Sequence, residues 1–227
     1  MISPPEGTEL LDDLQADPDA VRLSLHNITR ANRWFGGQAA AAWGIARLLG
    51  DVPRGATVSL LDIGTGSGDL PHAVVRWAAR RGVVLKAVGL ERHPVAAALA
   101  RQSGLPTILA CASRLPVRRR GVDVVLISQV AHHLTPEGAA GLFQAASEIA
   151  RRGVVVADLR RSALALNAFR VGARMLRFDA LTIADGVTSV RRGFTEAGLV
   201  TLLARAGISA DVRRRPGFRL VASWKTN

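Results

Sequence analysis

Three glycines at alternate positions, Gly64, Gly66 and Gly68, stand in the stretch LLDIGTGSGDL between two acids, Asp62 and Asp69. A glycine loop that follows an apolar run lets the backbone approach a ligand closely, as nucleotide-binding βα turns do. The dinucleotide fingerprint GxGxxG needs its third glycine where Asp69 stands. A pyrophosphate also favours bare backbone N–H groups at a helix N-terminus, and two flanking carboxylates repel it. The same acids suit a phosphate-free ligand that carries an ammonium and a sulfonium. S-adenosylmethionine (SAM) is such a ligand. Glu91 follows the loop at about the 20-residue spacing of an acid that accepts hydrogen bonds from ribose hydroxyls.

A second group of reactive side chains follows the apolar run VDVVLIS: Ser128, Gln129, His132 and His133. Methyl transfer is an in-line displacement, so positioning the acceptor against the methyl supplies most of the catalysis. For a hydroxyl acceptor, an imidazole can remove the proton near neutral pH. His133 is the first candidate base and His132 the second, although histidines here can also simply pack or cap the turn. No metal site is expected, because adjacent histidines project differently and the sequence shows no third ligand beside them. Cys111 is the single cysteine. It is expected to be a small buried side chain ending a strand.

The elements that must position these groups alternate as βα units. Two helices come first, over about 19–35 and 38–49, separated by Gly36-Gly37. Strands are predicted at TVSLLDI, VVLKAVGLE, TILAC, VDVVLIS and GVVVAD. Thr135-Pro136-Glu137 starts a helix expected to run to Arg152, with a capping hydroxyl and proline in the first turn. Residues 159–192 read as a helical insertion, whose Phe169, Met175 and Phe178 could form an apolar lid over the acceptor. A last helix and a hairpin with Pro216-Gly217 at its turn follow. The expected organisation is a helical segment over 1–55 and a SAM-binding domain over 56–227 that includes the insertion.

Hydrophobic residues make up 48% of the chain and charged residues 21%, as in ordinary globular domains. The acidic N-terminus lacks the apolar core of a signal peptide. No run approaches the ~20 apolar residues of a membrane span. A cytoplasmic protein without membrane attachment is therefore expected. The net charge of +12 raises nucleic-acid binding. Yet all the basic residues except Lys86 and Lys225 are arginine, a skew closer to coding bias than to a phosphate-binding surface. Arg80-Arg81, Arg118 to Arg120 and Arg151-Arg152 are expected at the amino ends of strands, away from the ligand. Arg160-Arg161 should follow the fifth strand on the ligand's side, where they could meet an anionic acceptor.

Over residues 57–225 the chain resembles the class I SAM-dependent methyltransferases. The resemblance lies in LLDIGTGSGD, VGLERHP, VDVVLISQVAHHL and RRGVVVADL, and is closest to small-molecule enzymes of quinone and polyketide biosynthesis. It implies an α/β, Rossmann-like sheet of seven strands, mostly parallel with the last antiparallel. It further implies a cofactor site made by Asp62, Gly64, Thr65, Gly66, Ser67, Gly68, Asp69, Glu91, Arg92, Ser128 and Gln129. In such relatives an acid contacts the adenine amine. Here CASRLPV puts Cys111 in that place and leaves adenine to Ala112 and Ser113. The segment Asn32-Arg33-Trp34 resembles one that folds over the cofactor, which adds Arg33 to the site. The function implied is methyl transfer from SAM to oxygen or carbon of a small aromatic or polyketide-like molecule in secondary metabolism. The alternatives are an RNA methyltransferase and a non-catalytic SAM-fold binding protein. Against the former, SQVAHH lacks the PP[YF] signature of base-amine methyltransferases. An NAD dehydrogenase ranks last because of Asp69.

Overall fold

The structure is a computed structural model, and it describes residues 9–226. The opening residues 1–8 of the predicted acidic N-terminus lie outside them. A short 3-10 turn, Leu10–Asp12, leads into α1 (Pro18–Trp34) and α2 (Gly37–Leu48). The βα units follow: β1 (Thr57–Ile63), α3 (Asp69–Arg80), β2 (Val84–Glu91), α4 (Pro94–Gln102), β3 (Thr107–Leu109) and β4 (Val122–Ser128). Then come α5 (Pro136–Ile149), β5 (Ala150–Leu159), α6 (Ala163–Met175), α7 (Ala180–Arg192), α8 (Glu196–Arg205), β6 (Asp211–Arg215) and β7 (Arg219–Lys225). The strands form one seven-stranded sheet in the order β3-β2-β1-β4-β5-β7-β6. β1 to β5 are parallel neighbours, and β7 runs antiparallel to β5 and to β6.

Alternation along the strands builds the two layers. Leu61, Ile63, Val125, Ile127, Val154 and Val156 face α5 and α8, packing against Phe143, Leu199 and Leu203. Leu60, Val124, Leu126 and Val155 face the other side, against Ile45 of α2 and Val74 of α3. Helix α2 is thus part of the sheet's flanking layer. α1 instead packs through Val21 and Leu25 on α4, and Asn27 donates to Asp179 at the start of α7 at 2.9 Å. Thr135 caps its helix as expected, its Oγ1 accepting from Gly138 N, and Thr195 Oγ1 likewise accepts from Gly198 N at the start of α8.

Two predicted boundaries shift. α5 ends at Ile149, so Arg151 and Arg152 belong to β5 rather than to a helix's last turn. Pairing decides this: Ala150 sits opposite Val122, and Arg151 Nε donates to Asp123 Oδ1 at 2.7 Å. β3 stops at Leu109, short of Cys111, because its register with β2 ends at Glu91. Cys111 is exposed rather than buried.

Helix α2 approaches the sheet closely at Gly44, where a Cβ would overlap the Val155 and Val221 side chains. Gly44→Ala should gain up to about 1 kcal/mol in helix propensity and lose more through overpacking, which costs about 1–3 kcal/mol. Urea unfolding should show a lower midpoint at unchanged slope; a higher midpoint would mean α2 can move off the sheet freely.

Candidate active site

β1 runs into the glycine loop, where Gly64, Gly66 and Gly68 have φ of +70°, +57° and +86°, the left-handed region glycine tolerates. The two outer glycines serve packing: a Cβ at Gly64 would overlap Val130, and one at Gly68 would meet Leu105 and Ser103. Gly66 differs. A Cβ there would meet only Leu25 Cδ2, at 3.5 Å, so its bare face opens on a cavity. Glu91 braces the loop from the end of β2, accepting from Gly66 N at 2.9 Å through one oxygen. Its other oxygen accepts from Arg92 N at 2.8 Å and His93 N at 2.9 Å.

The cavity has a volume of about 710 Å³ and lies at the carboxyl edge of the sheet, under α1, α6 and α7. Every residue of the expected cofactor set lines it except Asp62, Gly68 and Arg33. Asp62 lies beneath the loop and accepts from Thr65 Oγ1 at 2.7 Å. Arg33 is exposed; its neighbour Asn32 takes the inward direction and is buried. Ala112 and Ser113 line the wall together with Cys111, whose thiol accepts from Ser113 Oγ at 3.2 Å. Hydrogen bonding to Ser113 holds that thiol below its ordinary pKa. Of the expected lid residues, Phe169 and Phe178 line the cavity, whereas Met175 is 79% exposed and does not. Phe169 packs edge-on against Phe35 with ring centroids 6.0 Å apart.

A chain of side-chain hydrogen bonds crosses the cavity floor. Asn32 Nδ2 donates to Asp69 at 3.3 Å, Gln129 Nε2 donates to Asn32 Oδ1 at 2.7 Å, and Arg219 Nη1 donates to Gln129 Oε1 at 2.8 Å. Gln129 takes a left-handed φ of +55° to do so, a strained backbone of the kind found at functional sites. Arg219 is a site residue that sequence reasoning missed. Its signal was position: an antiparallel strand begins at the edge where the parallel strands end.

His132 is buried, and its Nδ1 lies 2.6 Å from Asp158 Oδ1 at the end of β5. Burial alone would raise the Asp158 pKa; the charge and hydrogen bond of His132 turn the net shift downward. The other ring nitrogen of His132, Nε2, is buried and has no hydrogen-bond partner. His133 is differently placed. Its Nδ1 lies 3.2 Å from Asp12 Oδ1, a close ion-pair contact without hydrogen-bond alignment, and its Nε2 is 3.9 Å from Glu9 Oε2. Burial pulls its pKa down, but Asp12, Glu9 and Asp158 outweigh that and leave it raised. His133 thus has acids beside both ring nitrogens, whereas His132 leaves its Nε2 without a partner. The sequence showed no third ligand beside the histidines; the structure brings Glu9 there.

Arg160 lines the cavity with its guanidinium over the Phe218 ring, 5.3 Å from the centroid, and its buried Nε has no hydrogen-bond partner. Arg161 turns away and donates to Arg191 O.

Residues 61–165 match the family model described as a methyltransferase domain. Solved structures share the fold across the chain. The plantazolicin methyltransferase BpumL, in complex with SAH, is 14% identical over 96% of this chain and 94% of that one, with a TM-score of 0.68. The pyocyanin biosynthetic protein PhzM is 22% identical over 98% of this chain and 63% of that one, at 0.61. Magnesium protoporphyrin IX methyltransferase from Synechocystis PCC 6803, with bound SAH, is 15% identical over 87% and 86%, at 0.56. No curated protein matches the sequence. Residues 61–165 thus match a methyltransferase domain, and the chain has the Rossmann-like fold that these solved methyltransferases share. The match to a methyltransferase-domain model and the fold shared with enzymes solved with SAM or SAH make S-adenosylmethionine the cofactor to set against this site.

The residues present fit that cofactor. Burial raises Asp62 to about 7 and Asp69 to about 6, and Asp62 Oδ1 has no hydrogen-bond partner. Carboxylates held so reluctantly ionised gain from a cation placed nearby. Because the folded-state pKa of Asp62 is raised, its ionised form costs stability. That cost is absent below pH 4 and grows to its full size above pH 7. Asp62→Asn should therefore stabilise the fold increasingly as pH rises from 4 to 7, reaching on the order of 4 kcal/mol. Thermal unfolding of both proteins across that range checks the sign; a gain that shrinks with pH would mean Asp62 is paired.

Proposed function

We propose that the chain transfers a methyl group from SAM to oxygen or carbon of a small aromatic or polyketide-like acceptor, within secondary metabolism and in the cytoplasm. The observation that carries this reading is the shared cavity: the open face of Gly66 and the free nitrogen of His132 border one space. Its roof is apolar, made by Ile28, Phe35, Phe169 and Phe178, a lining suited to a planar organic molecule. The small-molecule enzymes among the similar structures support the same choice.

SAM supplies an electrophilic methyl on a sulfonium. Gly66 leaves room for the cofactor, Glu91 accepts from the ribose hydroxyls, and the Ala112–Ser113 wall meets the adenine. Asp69 and the Asn32–Gln129–Arg219 chain fix the floor beneath. At the far side, Asp158 orients His132 so that Nε2 faces the acceptor and takes its proton. Arg160 offers its unpaired N–H to an acceptor carbonyl or carboxylate. The arginines at the other ends of the strands do not take part: Arg151 is paired with Asp123 and Arg152 with Asp51.

Methyl-labelled SAM, incubated with the protein and a host extract, should place label in the organic-soluble pool. Label in RNA would replace this reading with the nucleic-acid one, and label in protein would refute both. Gly66→Val provides the control: it should remain folded and lose SAM binding by calorimetry, and unchanged affinity would remove the cofactor from this loop. His132→Ala should lower turnover by about 10²-fold or more, the usual share of a general base, at nearly unchanged cofactor affinity. Full activity would reduce the histidine to packing.

A further inference from the structure

The two histidines beside the cavity leave a donor set that methyl transfer from SAM does not require. One ligand atom each of Glu9, His132 and His133 lies within 4.8 Å of the others. The side chain of His132 is 2% exposed, and its Nε2 has no partner. Its Nδ1 is held by Asp158 at 2.6 Å. His133 repeats the pattern, with Nδ1 beside Asp12 at 3.2 Å and Nε2 toward Glu9. A carboxylate behind a histidine, fixing the ring so that the other nitrogen points at a common centre, is the usual outer shell of a metal-bound imidazole. Glu9 is held as well: Arg192 donates to Oε1 at 3.1 Å and Ser189 to Oε2 at 2.6 Å.

We propose that Glu9, His132 and His133 form a binding site for a first-row divalent transition metal ion, with Zn²⁺ as its type, open on the side that faces the acceptor. Two imidazoles and one carboxylate select such ions over Mg²⁺ and Ca²⁺, which prefer all-oxygen shells. Ligand bonds of about 2.1 Å bring three tetrahedrally disposed donors to within about 3.4 Å of each other. The site therefore closes by about an ångström when filled, a movement within reach of the Glu9 side chain. An ion held there would supply a Lewis acid that eases loss of the acceptor hydroxyl's proton to solvent. When the site is empty, His132 Nε2 takes that proton. This effect on the acceptor rests on the proposed function, whereas binding of the ion does not.

The test uses tag-free, chelator-stripped full-length protein and no methyl acceptor. Equilibrium dialysis against Zn²⁺ should show one ion per chain. Co²⁺ in its place should give the intense visible bands of a four- or five-coordinate centre. Glu9→Gln and His133→Gln should each weaken binding at least ten-fold, while His26→Ala, on α1, should leave it unchanged. X-ray absorption of the zinc-loaded wild type, which needs no variant to fold, should show two imidazoles and no sulfur in the shell. No stoichiometric binding, affinity indifferent to Glu9 and His133, or a shell with fewer than two imidazoles would each overturn the site. SAM binding, followed separately by calorimetry, reports on the methyltransferase reading alone, so failure of one does not pass for failure of the other.

Discussion

The hydrogen-bonded chain Asp69–Asn32–Gln129–Arg219 ties four distant segments to one edge of the sheet. Its members come from the start of α3, the end of α1, the end of β4 and the start of β7. Each polar group in it is satisfied by the next, which is the condition for burying so many of them. Gln129 pays for its place with a left-handed backbone, and that strain persists because both ends of its amide are engaged. With the floor so fixed, the glycine loop, the histidine pair and the aromatic roof have a common reference.

Charge on the two sides of the cavity is organised differently. Asp62, buried below the loop, and Asp69, half-buried at the cavity floor, have their pKa values pushed up, so a cation placed nearby would favour their ionised forms. Across the cavity, Glu9, Asp12 and Asp158 surround two histidines, and Arg192 and Arg92 share the acids. The first side is suited to hold a sulfonium and ammonium. The second is suited to take up a proton or an ion from the acceptor's direction. A methyl-transfer site needs that division, with the electrophile on one side and the means to ionise the nucleophile on the other.

The roof joins the N-terminal segment to the late helices. Asn27 reaches Asp179 and Thr182, Arg30 donates to Leu176 O at 2.7 Å, and Arg30 lies over Phe178. Glu9 and Asp12 meet Arg192 at the end of α7. Among the described residues, no helix is long and apolar enough to cross a membrane. Ile28 of α1, Phe169 of α6 and Val190 of α7 line the cavity.

Much of this was legible in the chain itself. Strand alternation, the capped helix at Thr135 and the Gly64–Gly68 loop depend on residues within one or two turns of each other, so local physics set them. The carboxyl-edge location of Glu91, Ser128 and His132 followed from strand direction alone. What tertiary structure decided was everything that depends on two segments meeting. Sequence favoured Arg33 over Asn32, because side-chain direction at a helix end depends on what packs there. Helix α5 ended early because β5 paired with β4 from Ala150, a choice made by hydrogen bonds between strands. Glu9 had no local signature at all, and Arg219 and Asp158 had only their places at strand ends. They enter the site because a returning strand, a parallel neighbour and the N-terminal turn bring them to one edge, and no spacing along the chain encodes that meeting.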